Sequence, residues 1–153
     1  MQISTKFTIA IHMLAATAYF GGDHKVTSAL LADSVGTNPV IVRTIMRQLQ
    51  DAGLLEVRRG PGGCRLARPL RDITFLDVYR AVETNADDGV FRFHESPNPQ
   101  CPVGRNIHAA LDGQLKEIRN DFEKDLAGRT LDEVCDVIES RAPHDSASHD
   151  SVA

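Results

Sequence analysis

Val40, Arg43, Thr44 and Arg47 recur at spacings of three and four residues, which sets them on one face of a helix. A guanidinium bonds bidentately to guanine or to phosphate, and a threonine hydroxyl reaches either bases or backbone. The opposite face carries Val42, Ile45, Met46 and Leu49 at i, i+3, i+4 and i+7, a stripe fit for burial. Thr37 and Asn38 stand at the start of this helix, where free N–H groups and the dipole favour a phosphate. Arg58 and Arg59 precede a turn of Gly60, Pro61, Gly62 and Gly63. From there one of them is placed to probe a minor groove, whose narrow A·T tracts attract arginine. Double-stranded DNA is the ligand this chemistry fits.

These side chains need a scaffold, and the apolar periodicity describes one. Segment 3–20 sets Ile3, Phe7, Ala10, Ile11, Leu14 and Ala18 on one helical face, with Ser4 as cap and Gly21-Gly22 as stop. Thr27 caps a second, shorter helix that Gly36 ends in a left-handed conformation. Asn38 caps the third, and Pro39 occupies its first position, where a missing N–H costs nothing. Gly53 terminates it. Two extended runs, 54–59 and 64–67, flank the glycine turn as a β-hairpin. A fourth helix over about 74–83 has Phe75, Val78, Tyr79 and Val82 on one side. The predicted fold is mainly α, a winged helix-turn-helix with a β-hairpin wing, whose second helix of the pair enters the major groove.

The character then changes. Residues 84–102 hold Gly89, Pro97, Pro99 and Pro102 with few periodic apolar residues, and a loop of this length is usually functional or disordered. Beyond it Val103, Ile107, Leu111, Leu115, Ile118, Phe122 and Leu126 recur every three or four residues as a long amphipathic C-terminal helix. Thr130-Leu131-Asp132-Glu133 fits a capping box for a last helix ending near Ser140. The tail after Pro143 is polar and expected to be disordered. There is no internal repeat.

Composition bounds the reading. At 153 residues, 42% hydrophobic and 25% charged, the chain has the make-up of one globular domain with an extension. No run approaches the roughly 18 apolar residues of a membrane span. The apolar stretch after Lys6 is cut by His12, so no secretory leader and no membrane partner are expected. Three cysteines, an odd and sparse count, fit a reducing cytoplasm. The net charge of −4 conceals a partition: residues 1–70 hold eight Lys/Arg against four Asp/Glu, the remainder nine against seventeen. A front half at +4 on an acidic protein points to one surface meant for a polyanion. There is no Ser/His/Asp order, P-loop, GxGxxG, HExxH or CxxC, and the paired acids Asp87-Asp88 and Glu123/Asp125 fall in loop or on a solvated helix face. An enzyme is therefore not expected. A winged helix acting as a protein-interaction adaptor is the alternative.

The stretch GTNPVIVRTIMRQLQDAGLLEVRRGPGGCRLARP, followed by ITFLDVYRAVE, resembles the Rrf-two family of bacterial winged-helix transcriptional regulators, which includes the iron–sulfur cluster regulator and the nitric-oxide-sensitive repressor. The resemblance runs over about 1–140, and the glycine wing with its "AGLL…RRG" entry is its specific part. It implies a homodimeric, cytoplasmic DNA-binding regulator, more commonly a repressor. The 103–126 helix would form the dimer seam, and two half-sites would lie about 34–36 Å apart. It implies recognition-helix roles for Asn38, Val40, Arg43 and Arg47, and a minor-groove role for Arg59. The organisation expected is a winged helix-turn-helix over 1–83, a sensing loop over 84–102, dimerisation and terminal helices over 103–140, and a disordered tail over 141–153.

The pattern departs from the family at the loop. Its best-known members carry three cluster-binding cysteines there, and cluster ligation needs several converging thiolates. This chain has Cys101 alone in that loop, so no iron–sulfur cluster and no other cofactor is expected. His94, Glu95 and His108 are weak substitute ligands, with His94 and His108 seven residues to either side of Cys101, and an iron–sulfur or metal-dependent regulator with such an atypical ligand set is the second alternative. The motif resembles a subgroup without the cluster cysteines. Four readings of Cys101 stay open: a redox-active thiol whose pKa is lowered at the start of a helix beginning with Pro102 and Val103, a metal ligand, a haem-responsive Cys-Pro, or a structural cysteine packed on the partner subunit. Cys64, where the family commonly has a third wing glycine, reads as a reactive thiol or part of the DNA edge. Cys135, beside Val134 and Ile138, reads as a small buried hydrophobe, and His12 as a satisfied helix residue.

Overall fold

The computed structural model describes residues 4–58, 63–83, 86 and 90–142. Helix α1 (Thr5–Phe20) is followed by α2 (Ser28–Val35) and α3 (Pro39–Asp51). Strands β1 (Leu55–Arg58) and β2 (Gly63–Leu66) pair antiparallel with Leu55 opposite Leu66 and Val57 opposite Cys64. A 3-10 turn (Leu70–Asp72), α4 (Phe75–Val82), α5 (Ile107–Ala127) and α6 (Leu131–Arg141) complete the chain. Three helices and a hairpin wing thus stand in the predicted order. Arg59 and the rest of the wing tip, the acids Asp87-Asp88 and the tail from 143 lie outside the described residues.

Helix α1 departs from its predicted single apolar face. Ala10 and Met13 through Thr17 are all buried, because α2, α4, α6 and β2 pack around it from several sides. Its small residues Ala10, Ala15 and Ala16 fit close approach, and Thr17 satisfies its hydroxyl by donating to the Met13 carbonyl at 2.7 Å. Ile11 and Ala18 are only half-buried. Ser4, the expected cap, instead donates its hydroxyl to Glu83 Oε1 at 2.8 Å.

The core joins α1 (Leu14), α3 (Val42, Ile45, Leu49), the β1 approach (Leu54), the segment before α4 (Ile73), α4 (Val78) and α6 (Leu131), all fully buried. The last helix therefore returns to the winged-helix core. A backbone clamp holds it there: Phe75 N donates to Arg129 O at 2.9 Å and Leu131 N to Ile73 O at 3.0 Å, with Thr74 bridged to Thr130. The expected capping box does not form at Thr130. Its hydroxyl donates to Asp132 Oδ1 and caps no backbone N–H. The complete capping box lies at the other side of the clamp, where Thr74 Oγ1 accepts from Asp77 N and Asp77 Oδ2 accepts from Thr74 N.

The long helix starts later than the periodicity implies, at Ile107. Residues 101–106 form tight turns, with Arg105 N donating to Cys101 O at 3.0 Å and Asn106 N to Val103 O at 3.1 Å. Gly104 lies so close to Asn98 that a Cβ there would stand 2.5 Å from the Asn98 carbonyl oxygen, and this backbone approach delays the helix. At its far end α5 packs on α4. Phe122 meets Tyr79 edge-on at 5.6 Å, and Tyr79 and Phe75 both meet Phe7 of α1.

Candidate nucleic-acid interface

The recognition elements are fixed by their ends. Thr27 Oγ1 accepts from Leu30 N at 3.1 Å to start α2, and Gly36, with φ of +74°, ends it in the left-handed region where glycine pays no Cβ penalty. Asn38 Oδ1 then accepts from Val40 N at 2.8 Å, with Pro39 at the first position of α3. Thr37 is half-buried in this turn, its N–H donating to Ala32 O at 3.2 Å. With Val42, Ile45, Met46 and Leu49 buried, the face carrying Val40, Arg43, Thr44 and Arg47 is turned to solvent. Thr44 differs from expectation in one respect: its hydroxyl donates back to the Val40 carbonyl at 3.0 Å. That leaves a methyl group and oxygen lone pairs, but no donor, for a ligand.

The wing is tied to this face through Gly63. Cys64 N donates to Val26 O at 2.8 Å, closing a β-bridge just ahead of α2. Gly63 has φ of +64°, and a Cβ there would lie 2.6 Å from Val26 O and 3.0 Å from the Lys25 Cγ. Only glycine admits both the conformation and the approach. Cys64 is thereby buried against Thr17, at 4.0 Å from its hydroxyl, and burial pushes its thiol pKa up. It is a core residue, not the reactive thiol or DNA edge that its wing position implied.

Between α3, the start of α2 and the wing runs a groove of about 450 Å³. Among the described residues its lining includes Lys25, Arg43, Arg47 and Arg58 and no carboxylate. Five arginines elsewhere are matched to acids: Arg65 to Glu56, Arg68 to Asp77, Arg80 and Arg119 to Glu123, Arg129 to Asp125. Among the described residues Arg43, Arg47 and Arg58 have no salt bridge. Three sequence-predicted cations are thus brought together, and Lys25 joins them unforeseen. Its signal lies in its place two residues ahead of the Thr27 cap, a position that the bridge to the wing turns into the groove wall.

The loop before α5 assembles differently from the sequence expectation. His94 and His108 do approach, with ring centroids 5.3 Å apart, but His108 Nε2 lies 3.1 Å from the His94 carbonyl oxygen and its ring is tilted against Phe93. No group of three His, Cys, Asp or Glu side chains gathers at metal-binding range among the described residues. Cys135 is buried in α6 with its thiol pKa raised by burial, although its neighbour Ile138 is exposed. With Cys64 also in the core, a thiolate-ligated cluster would find one half-exposed thiol, Cys101, where several are required. These residues do not fit such a group. The Cys101 thiol pKa is lowered by hydrogen bonds from the backbone N–H groups of Gly104 and Val103. The cause is a turn of backbone donors, since α5 itself begins only at Ile107.

Fold and groove define a winged helix-turn-helix protein with a basic recognition face. A family model described as "Rrf2: Iron-dependent Transcriptional regulator" matches residues 3–137, and the chain belongs to this Rrf2 (Rrf-two) family of transcriptional regulators. It is 39% identical over 133 residues to the "Putative HTH-type transcriptional regulator YwnA" of Bacillus subtilis (strain 168), covering 87% of this chain and 96% of the relative. Among solved structures it is similar to a "putative DNA binding protein" at 36% identity and a TM-score of 0.67, over 84% of this chain and 97% of the other. It shares the fold of T. potens IscR at 24% identity and a TM-score of 0.66, over 94% and 93% of the two chains. Among the described residues no helix is long and apolar enough to cross a membrane.

Proposed function

We propose that the chain is a cytoplasmic, homodimeric repressor. It reads an operator with α3 in the major groove and the wing alongside, and has no enzymatic activity. The carboxylate-free groove of Lys25, Arg43, Arg47 and Arg58 carries the reading. Thr37 and Asn38 shape the entry to α3, Val40 and Thr44 face the bases, and the minor-groove role falls to Arg59 by its likeness to the family. About three to four phosphate contacts per protomer correspond to a log–log salt slope near −5 to −7 for a dimer. Fluorescence anisotropy on duplex DNA across salt concentrations measures this slope. Arg43→Glu or Arg47→Glu is expected to abolish binding while leaving the circular dichroism melt unchanged. Unaltered affinity in both variants would overturn the proposal and favour the adaptor reading.

The partner subunit is a second copy meeting along α5. Ile107, Leu111 and Leu115 are only half-buried, Ile118 is 50% exposed and Val103 69% exposed, an apolar stripe that one chain leaves uncovered. The signal enters through the turn holding Cys101. Its depressed thiol pKa favours the nucleophilic thiolate, and Cys64 and Cys135 lack that advantage. Mild peroxide is expected to weaken DNA binding in the parent protein and to leave Cys101→Ser unaffected. Equal loss in both proteins would remove Cys101 from the response.

A further inference from the structure

The exposed face of α3 mixes two kinds of reader. Arg43 and Arg47 keep their donors available, since neither has a salt bridge or a side-chain hydrogen bond among the described residues. Thr44 has its hydroxyl hydrogen engaged at Val40 O, and Asn38 has its Oδ1 engaged at Val40 N. Both bonds converge on the backbone of one residue. Val40 is therefore held at its N–H by the cap and at its carbonyl by an extra bond from the next turn, while the residue stands 59% exposed. It lies one turn N-terminal of Arg43 and Thr44 on the same face, at the end of the helix whose residues contact base edges. A β-branched side chain has little χ1 freedom in a helix, so Val40 presents its two methyl groups with little ordering left to do.

In the major groove the feature that answers an apolar side chain is the 5-methyl group of thymine. Resting on the DNA-binding reading above, we propose that Val40 identifies a thymine in each half-site by its 5-methyl group, next to bases read by Arg43 and Arg47. Covering one methyl group corresponds to about a four-fold change in Kd at about 0.8 kcal/mol.

The test uses the full-length protein and duplexes that it selects from a random-sequence pool. Each thymine of the selected half-site is replaced in turn by deoxyuridine, which removes the methyl group and keeps every hydrogen-bonding atom. One position is expected to cost the parent protein about four-fold per half-site and to cost Val40→Ala nothing. Val40→Ile, which keeps a branched apolar side chain, retains the methyl dependence. Alanine is the better helix former at an exposed position, so Val40→Ala folds, and a thermal melt verifies it. A flat deoxyuridine scan in the parent protein, the same loss in Val40→Ala, or a selected half-site without thymine would overturn the proposal. In each of these cases Arg43→Ala still lowers affinity if the DNA-binding reading stands. If no duplex is selected, both fail.

Discussion

Replacing Gly63 by alanine probes the joint between wing and helix-turn-helix. Two costs arise. A non-glycine residue in the left-handed region, here at φ of +64°, loses roughly 1–2 kcal/mol. The new Cβ would also stand 2.6 Å from the Val26 carbonyl oxygen, a separation no pair of these atoms sustains. The strand must therefore withdraw and stretch the 2.8 Å bond from Cys64 N to that oxygen, a net loss of about 0.5–1.5 kcal/mol. The sum is about 1.5–3.5 kcal/mol, which at about 2–4 °C per kcal/mol for a chain of this size lowers Tm by about 3–14 °C. Gly36→Ala supplies the comparison, because Gly36 has a like φ of +74° with nothing within 4 Å of its Cβ position. It bears the strain alone and falls by about 2–8 °C. Scanning calorimetry on both variants, with DNA anisotropy on the folded proteins, separates the terms. Gly63→Ala should melt earlier than Gly36→Ala and bind DNA more weakly, since Lys25 and Arg58 line the groove that the withdrawn strand distorts. A Gly63→Ala protein as stable as Gly36→Ala would refute the close-approach reasoning.

Other outcomes follow from the same geometry. Leu131→Ala, at a fully buried site shared by α6 and the winged-helix core, should lose about 2–5 kcal/mol in urea denaturation, whereas a C-terminal helix independent of that core would make the change mild. Thr74→Ala removes one half of a capping box and should cost about 1 kcal/mol by the same assay. Iodoacetamide labelling read by mass spectrometry should modify Cys101 first. Its pKa is lowered, so its thiolate fraction rises at a lower pH than that of Cys64 or Cys135, whose pKa values are raised. If α5 forms the proposed dimer seam, Ile118→Glu should give a folded monomer in sedimentation analysis and weaken operator binding.

The helix-turn-helix and the wing were readable because their signals are local. Thr27, Gly36, Asn38 and Pro39 each act within four residues of themselves, and the bonds they form appear where expected. The stripe of Val42, Ile45, Met46 and Leu49 needed one partner surface, so its periodicity was clean. Helix α1 has several partner surfaces, which erases the period and hid its central place. Thr130 loses its capping role to a near neighbour, Asp132, which takes its hydroxyl hydrogen. Ser4 and Cys64 depart from their local signals for a common reason: each is claimed by residues far along the chain, Ser4 by Glu83 and Cys64 by Val26 with Thr17. Lys25 escaped for the same reason, since only the bridge between Val26 and Cys64 makes it a wall of the groove.

The clamp between Thr74 and Thr130 gives α5 the mechanics of a beam built into a wall at one end. Phe122, Leu126 and the Arg129 carbonyl fasten its C-terminal end to α4. The 21 residues extend about 31 Å from end to end. A five-degree tilt at the fastened end displaces the Cys101 end by about 2.7 Å over that length. In the proposed dimer, where two reading heads would be joined through such beams, a small movement at the fastened end would reach the joint enlarged. Softening Tyr79, Phe122 or the Thr74 bridge would then blur half-site spacing without touching a single residue that faces DNA.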